Sequence, residues 1–226
     1  MTDTTPTNDI GVRYARGRQQ ITDLVRALDS NELATQVAAC PGWTVADVVG
    51  HLTGLVEDAL SGRITGPPDD AQTTVEVERH RRRPIADVLA DWASGAPSFE
   101  SVITDLEIWP ALIDVTTHEH DIRAALGRPD NREDPTVALL AGRLMAALDL
   151  LGVGVVTVTF PDGTSVSSAA SKGTAYGLRA TAFDVLRFRL GRRTRREMLA
   201  LAWDRDPSAI VDRLCFFGPT MISLGE

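Results

Sequence analysis

Pro41-Gly42-Trp43-Thr44-Val45-Ala46-Asp47-Val48-Val49-Gly50-His51-Leu52 is the stretch from which the fold is read. Thr44 is a favoured helix N-cap, Asp47 stands at the reciprocal capping-box position, and Trp43 and Val48 occupy the two hydrophobic-staple positions. A helix is therefore expected from Val45 to about Leu60, with a fixed entry angle. Val45, Val48, Val49, Leu52, Leu55 and Val56 recur at helical spacing and define its inward face. His51 falls on the edge of that face. By itself it reads as a core histidine satisfied by one hydrogen bond, so its meaning depends on what faces it.

Asp114-Val115-Thr116-Thr117-His118 supplies a partner. Asp114 and His118 are at i and i+4 and stack on one side of a helix, and Asp121 extends the stripe by a turn. Leu112, Ile113, Val115, Ile122 and Leu126 take much of the remaining surface, so the polar stripe is not simply the wet side. A carboxylate and an imidazole one turn apart can reach a single ion, with His51 of a facing helix as a third ligand. Two histidines, one carboxylate and an open position suit a divalent transition metal, zinc most readily, although Fe, Ni, Mn and Co use the same ligand types. Asp121 reads either as an acceptor orienting a metal-bound imidazole or as a partner of Arg123 or of a neighbouring helix. His120 points away from His118 and is placed outside the site.

Cys40 through Leu52, with Asp114-Val-Thr-Thr-His118-Glu-His-Asp121 and the following Gly127-Arg128-Pro129, resembles the mycothiol-dependent maleylpyruvate isomerase family. The resemblance implies a DinB-like four-helix bundle followed by a small α/β domain. It also implies a bound divalent metal, usually zinc, held at His51, Asp114 and His118, with mycothiol as cosubstrate. Where the family has glutamate this chain has Asp114, shorter by one methylene, a little over about 1 Å of reach. The activity implied is thiol-dependent cis–trans isomerisation, or S-transfer, on a small electrophile. Two other readings stand beside it: a metal-dependent hydrolase or lyase that activates water, and a non-catalytic or structural metal-binding module.

From the residues themselves, residues 1–130 are expected to form the four-helix bundle and 131–226 a small α/β domain, an α+β fold overall. A first helix is expected from about Asn8 to Leu28, after a loose polar start at Met1 to Asn8. A loop covers Gly62 and Gly66 to Asp70. A third helical region from about Thr73 to Asp105 is expected to break at Pro84 and again near Gly95-Ala96-Pro97. Trp109-Pro110 opens the ligand-bearing helix and Gly127 follows its end.

Beyond Pro129, Asp134-Pro135 starts a helix with Val137, Leu140, Leu144, Leu148 and Leu151 as apolar positions. Gly152 to Phe160 and Ser165 to Ala170 read as strands around a turn, with a third near Thr174 to Arg179. A helix over Ala182 to Leu190 follows. Thr194 to Glu197 is a capping box for a helix that carries Leu199, Leu201 and Trp203, and a final helix begins near Pro207. Among Arg179, Arg187, Arg189, Arg192, Arg193, Arg195 and Arg196, some are expected to face a cleft and recognise a carboxylate.

The chain has 226 residues, 43% of them apolar and 24% charged, which is ordinary for a globular protein with a sizeable core. A net charge of −8 argues against nucleic acid or an anionic membrane as partner. The expected partners are a small-molecule substrate and a low-molecular-weight thiol, for a monomer or small homo-oligomer. No apolar run approaches a membrane span. Cys40 and Cys215, far apart and without CxxC spacing, suggest a reducing cytoplasm and free thiols. Cys40 reads as a buried structural thiol or, less simply, as a ligand or redox group. Arg79 to Arg83 reads as an anion site or as a solvated helix face paired with acidic neighbours.

Overall fold

The structure is a computed structural model that describes residues 9–64, 66, 68–169 and 172–226. Met1 to Asn8, Pro67 of the expected loop and Ala170 at the expected end of the second strand lie outside the described residues. The protein divides into two compact units, Met1–Arg128 and Pro129–Glu226. It is an α+β fold, helical in the first unit and built on a small mixed sheet in the second.

The long helices of the first unit are α1 (Ile10–Arg26), α3 (Val45–Leu60), α5 (Ile85–Asp105) and α6 (Trp109–Ala125). A single turn, α2 (Ser30–Leu33), precedes the α3 entry, and a shorter helix, α4 (Asp70–His80), follows it. α1 packs on α5 and α6, and α3 packs on α5, α6 and α4. The α3 start is as the side chains dictate: Thr44 Oγ1 accepts from the Asp47 amide at 3.2 Å, and the Asp47 carboxylate accepts from the Thr44 amide at 2.9 Å. Val45, Val48, Val49, Leu52, Leu55 and Val56 are all buried. In the bundle centre Trp92 donates its indole N–H to the Tyr14 hydroxyl at 3.1 Å, and Tyr14 meets Phe99 edge-on at 5.2 Å. Both Tyr14 and Trp92 are fully buried.

Two expectations in this unit are corrected. α4 starts at Asp70, not Thr73, because Asp69 caps it by accepting from the Gln72 amide at 2.9 Å. α5 runs unbroken through Gly95-Ala96-Pro97. Pro97 and Ala93, whose carbonyl would have received the missing N–H, both lie on the exposed side, where solvent can replace the lost donor. Gly95 is a close approach, not a break. A Cβ there would lie 2.9 Å from Val56 Cγ1 of α3.

The second unit contains α7 (Pro135–Ala146), β1 (Gly154–Thr159), β2 (Ser165–Ser167), β3 (Thr174–Arg179), α8 (Ala182–Arg189), α9 (Arg195–Leu199) and β4 (Ala202–Trp203). Strand order is β2-β1-β3-β4, with β1 and β3 parallel and the outer pairs antiparallel. Val156, Val158, Leu178, Phe188 and Met198 are among the residues of its core.

Here the corrections are larger. The Thr194–Glu197 capping box forms, but α9 is only five residues long and Trp203 lies in β4. The open edge of β3 takes Ala202 and Trp203, and the Trp203 indole returns to donate to the Met198 carbonyl at 2.9 Å. In place of a final helix from Pro207 there is a single 3-10 turn, Val211–Arg213, which already buries Ile210, Val211 and Leu214. Leu151 is exposed, beyond the end of α7. Several of the arginines are held within the unit. Arg187 pairs with Glu226, Arg193 with Glu226 and Asp184, Arg195 with Asp212, and Arg189 donates to the carbonyls of Leu144 and Leu214.

Candidate metal centre

His51, Asp114 and His118 come together in the first unit, one from α3 and two from α6. His51 Nε2 is 3.4 Å from Asp114 Oδ2, and His118 Nε2 is 3.4 Å from Asp114 Oδ1. The two imidazoles meet nearly at right angles, centroids 5.4 Å apart. Both histidines are buried, while the Asp114 side chain keeps 30% of its exposure, so the cluster is reached from the Asp114 side. The shorter aspartate therefore still spans both rings.

The far nitrogen of each ring also faces a carboxylate. His118 Nδ1 is 3.1 Å from Asp121 Oδ2, one turn further along α6, a contact that suits the first of the two readings of Asp121. His51 Nδ1 is 2.8 Å from Glu76 Oε2 of α4. An ionised carboxylate only accepts, so a ring held neutral as a metal ligand would donate through Nδ1 and leave its Nε2 lone pair on the Asp114 side. Burial alone would lower both histidines, but Asp114, with Glu76 at His51 and Asp121 at His118, raises them above their ordinary values. Against its own burial, Asp114 is held far below the usual carboxylate range by His118 and His51.

Two features fit a cation. Asp114 Oδ2 is buried and makes no hydrogen bond, although His51 Nε2 lies 3.4 Å away. Two bonds of about 2.0–2.1 Å at a tetrahedral angle put their ligand atoms roughly 3.4 Å apart. Charge gives the second. Asp114, Asp121 and Glu76 surround two imidazoles, and a divalent ion offsets most of that excess without protonating either ring.

Cys40 borders the cluster on its Nδ1 side, with Sγ 3.8 Å from His118 Nδ1 and 3.8 Å from Asp121 Oδ2. The Trp43 ring lies 5.2 Å from His51 and 6.4 Å from His118. His120 is buried but belongs to none of the ligand-like clusters among the described residues. A further grouping of Glu57, His80 and Asp91 is already engaged by arginines: Arg79 is 2.7 Å from Glu57, and Arg83 is 2.6 Å from Asp91 and 3.2 Å from His80 Nδ1. With Arg81 on Asp47 at 3.0 Å, the basic run is paired with acidic neighbours at these positions.

Glu76 is the residue that sequence reasoning missed. Its own segment gives no sign of it, but α3 does. Gly50 and Gly54 are one turn apart on the buried side, and a Cβ on them would lie 3.0 Å from His80 Cβ and 2.7 Å from Glu76 Cβ. Paired small residues beside a candidate ligand mark where another backbone comes close.

Residues 14–110 match the family profile described as the mycothiol maleylpyruvate isomerase N-terminal domain. Over that stretch the first unit of this chain is similar to that family's N-terminal domain. The matched residues include His51, Glu76 and the PGWT entry to α3, whereas Asp114 and His118 lie just past their end. Among solved structures, a crystal structure of the mycothiol-dependent maleylpyruvate isomerase is similar with a TM-score of 0.53 and 14% identity, covering 83% of this chain and 90% of that one. A histidine-to-alanine mutant of the isomerase gives a TM-score of 0.53 at 13% identity, with 82% and 89% covered. At this identity the likeness concerns the fold. No curated protein matches the chain. Among the described residues, no helix is long and apolar enough to cross a membrane.

Proposed function

We propose that this chain is a metal-dependent enzyme of the maleylpyruvate isomerase type, in which His51, Asp114 and His118 hold one divalent cation, zinc most readily. Its nucleophile would be a low-molecular-weight thiol, mycothiol, that arrives as cosubstrate. The observation that supports it most directly is the approach of His51 Nε2 and His118 Nε2 to the two oxygens of one carboxylate, each at 3.4 Å. When bound, such an ion supplies the positive charge that keeps a thiol deprotonated at neutral pH.

The protein's own residues do the rest. Asp121 and Glu76 hold the rings with Nε2 turned to Asp114. Trp43 lies beside both rings and can wall the space in front of them. Cys40, the thiol at the cluster, meets the Nδ1 side of His118, whereas Asp114 meets its Nε2 side, which supports a nucleophile that arrives as cosubstrate. A thiolate adding to a conjugated double bond leaves a single bond free to rotate, and its elimination gives cis–trans isomerisation. On an electrophile that cannot expel the thiol the outcome is S-transfer.

Elemental analysis of the purified protein together with calorimetric titration of mycothiol tests this. About one equivalent of metal is expected, with thiol binding that disappears on chelation and returns with zinc. Undiminished mycothiol binding by the chelated protein would sink the reading. Asp114→Glu restores the family's usual ligand and should keep zinc affinity within about tenfold of the parent or raise it. Complete loss of metal in that variant would mean the bundle is set around the shorter side chain.

A further inference from the structure

We infer that Glu76 is a positioning residue for His51, and that α4 is seated on the bundle chiefly to deliver it. This rests on the reading of His51 as a metal ligand. α4 buries only Glu76, Val77 and His80. One valine is little apolar surface to hold an eleven-residue helix, whereas a fully buried carboxylate opposes its seating unless something compensates it. That compensation comes from His51 Nδ1, 2.8 Å from Oε2, while Oε1 is buried with no hydrogen bond. A carboxylate so placed makes sense if the imidazole it faces carries or shares positive charge.

The packing is specific to this contact. Gly54 stands where a Cβ would fall 2.7 Å from Glu76 Cβ and 3.1 Å from its Cα, so the α4 backbone reaches α3 only because that position has no side chain. Gly50 makes the same allowance one turn earlier, against His80. The second imidazole is arranged alike from a different source, with Asp121 of its own helix at 3.1 Å from His118 Nδ1. Thus each ring has a carboxylate behind it and Asp114 in front. Glu76 fixes the ring plane of His51, keeps its proton on Nδ1 and makes Nε2 the better donor.

Zinc affinity by chelator competition, and the visible spectrum of the cobalt-loaded protein, test the assignment in Glu76→Gln. Affinity should fall about 10- to 100-fold and the cobalt bands should shift, while the metal-free variant melts at or above the parent's temperature. In a His51→Ala background the same replacement should change zinc affinity by less than about twofold, since the ring it acts on is gone. A merely structural Glu76 would weaken binding equally in both backgrounds. If Glu76→Gln does not fold, long-range proton–nitrogen correlation on the zinc-loaded parent decides: His51 protonated on Nδ1 supports the inference, and Nε2 protonation overturns it. Parental affinity in a folded Glu76→Gln overturns it while leaving the ligand set intact. Failure of the parent to bind zinc or cobalt removes both.

Discussion

Replacing His118 by alanine should remove bound metal and activity together, lowering zinc affinity by more than about a hundredfold while leaving the far-ultraviolet spectrum of the helices unchanged. The imidazole is one of the three ligand-type groups converging in the first unit, and its Nε2 sits 3.4 Å from Asp114 Oδ1. Alanine at this position leaves Asp114 facing a single imidazole, and it also removes the ring that Asp121 contacts. Fold is spared because α6 is held by other residues: Ala111, Leu112, Val115 and Ile122 are buried along it. A full metal equivalent retained by His118→Ala would mean that the ion is held elsewhere or not by this set.

Gly54→Val should lower stability by about 3 kcal/mol and weaken zinc binding in the same protein. The position offers no room, since even the first carbon of a side chain would sit 2.7 Å from Glu76 Cβ. Neither neighbour is the free end of a flexible chain, because the nearest atoms belong to the stem of Glu76 and its Cα. α4 must then lift from α3, and Glu76 leaves His51 with it. Thermal denaturation and zinc competition on the same samples check the pairing of the two losses. Stability lost without any change in affinity would separate the seating of α4 from the cluster.

Much of the bundle was legible because its signals are local. The Thr44–Asp47 cap, the six buried apolar positions of α3 and the i, i+4 spacing of Asp114 and His118 each span about a turn or a few, and one helix repeat suffices to read them. The same holds for Asp121, one turn from His118. Local signals failed where neighbours in space decided. Pro97 did not break α5 because its lost hydrogen bond faces water, and Gly95 reports the nearness of α3. Trp203 followed a capping box yet went to a strand, because β3 offered an unfilled edge.

Unaided, then, the residue order determined where α3 and α6 begin, which apolar positions α3 buries, and that two imidazoles and a carboxylate are available on the two helices. Caps and periodicity act within a few residues, so they need no knowledge of the rest of the chain. Only the tertiary structure decided that α4 lies against Gly50 and Gly54, that Glu76 backs His51 across 25 residues, and that several arginines of the second unit are taken up inside it. Those outcomes depend on how closely whole backbones approach, and that distance is set by the packing of all their side chains at once.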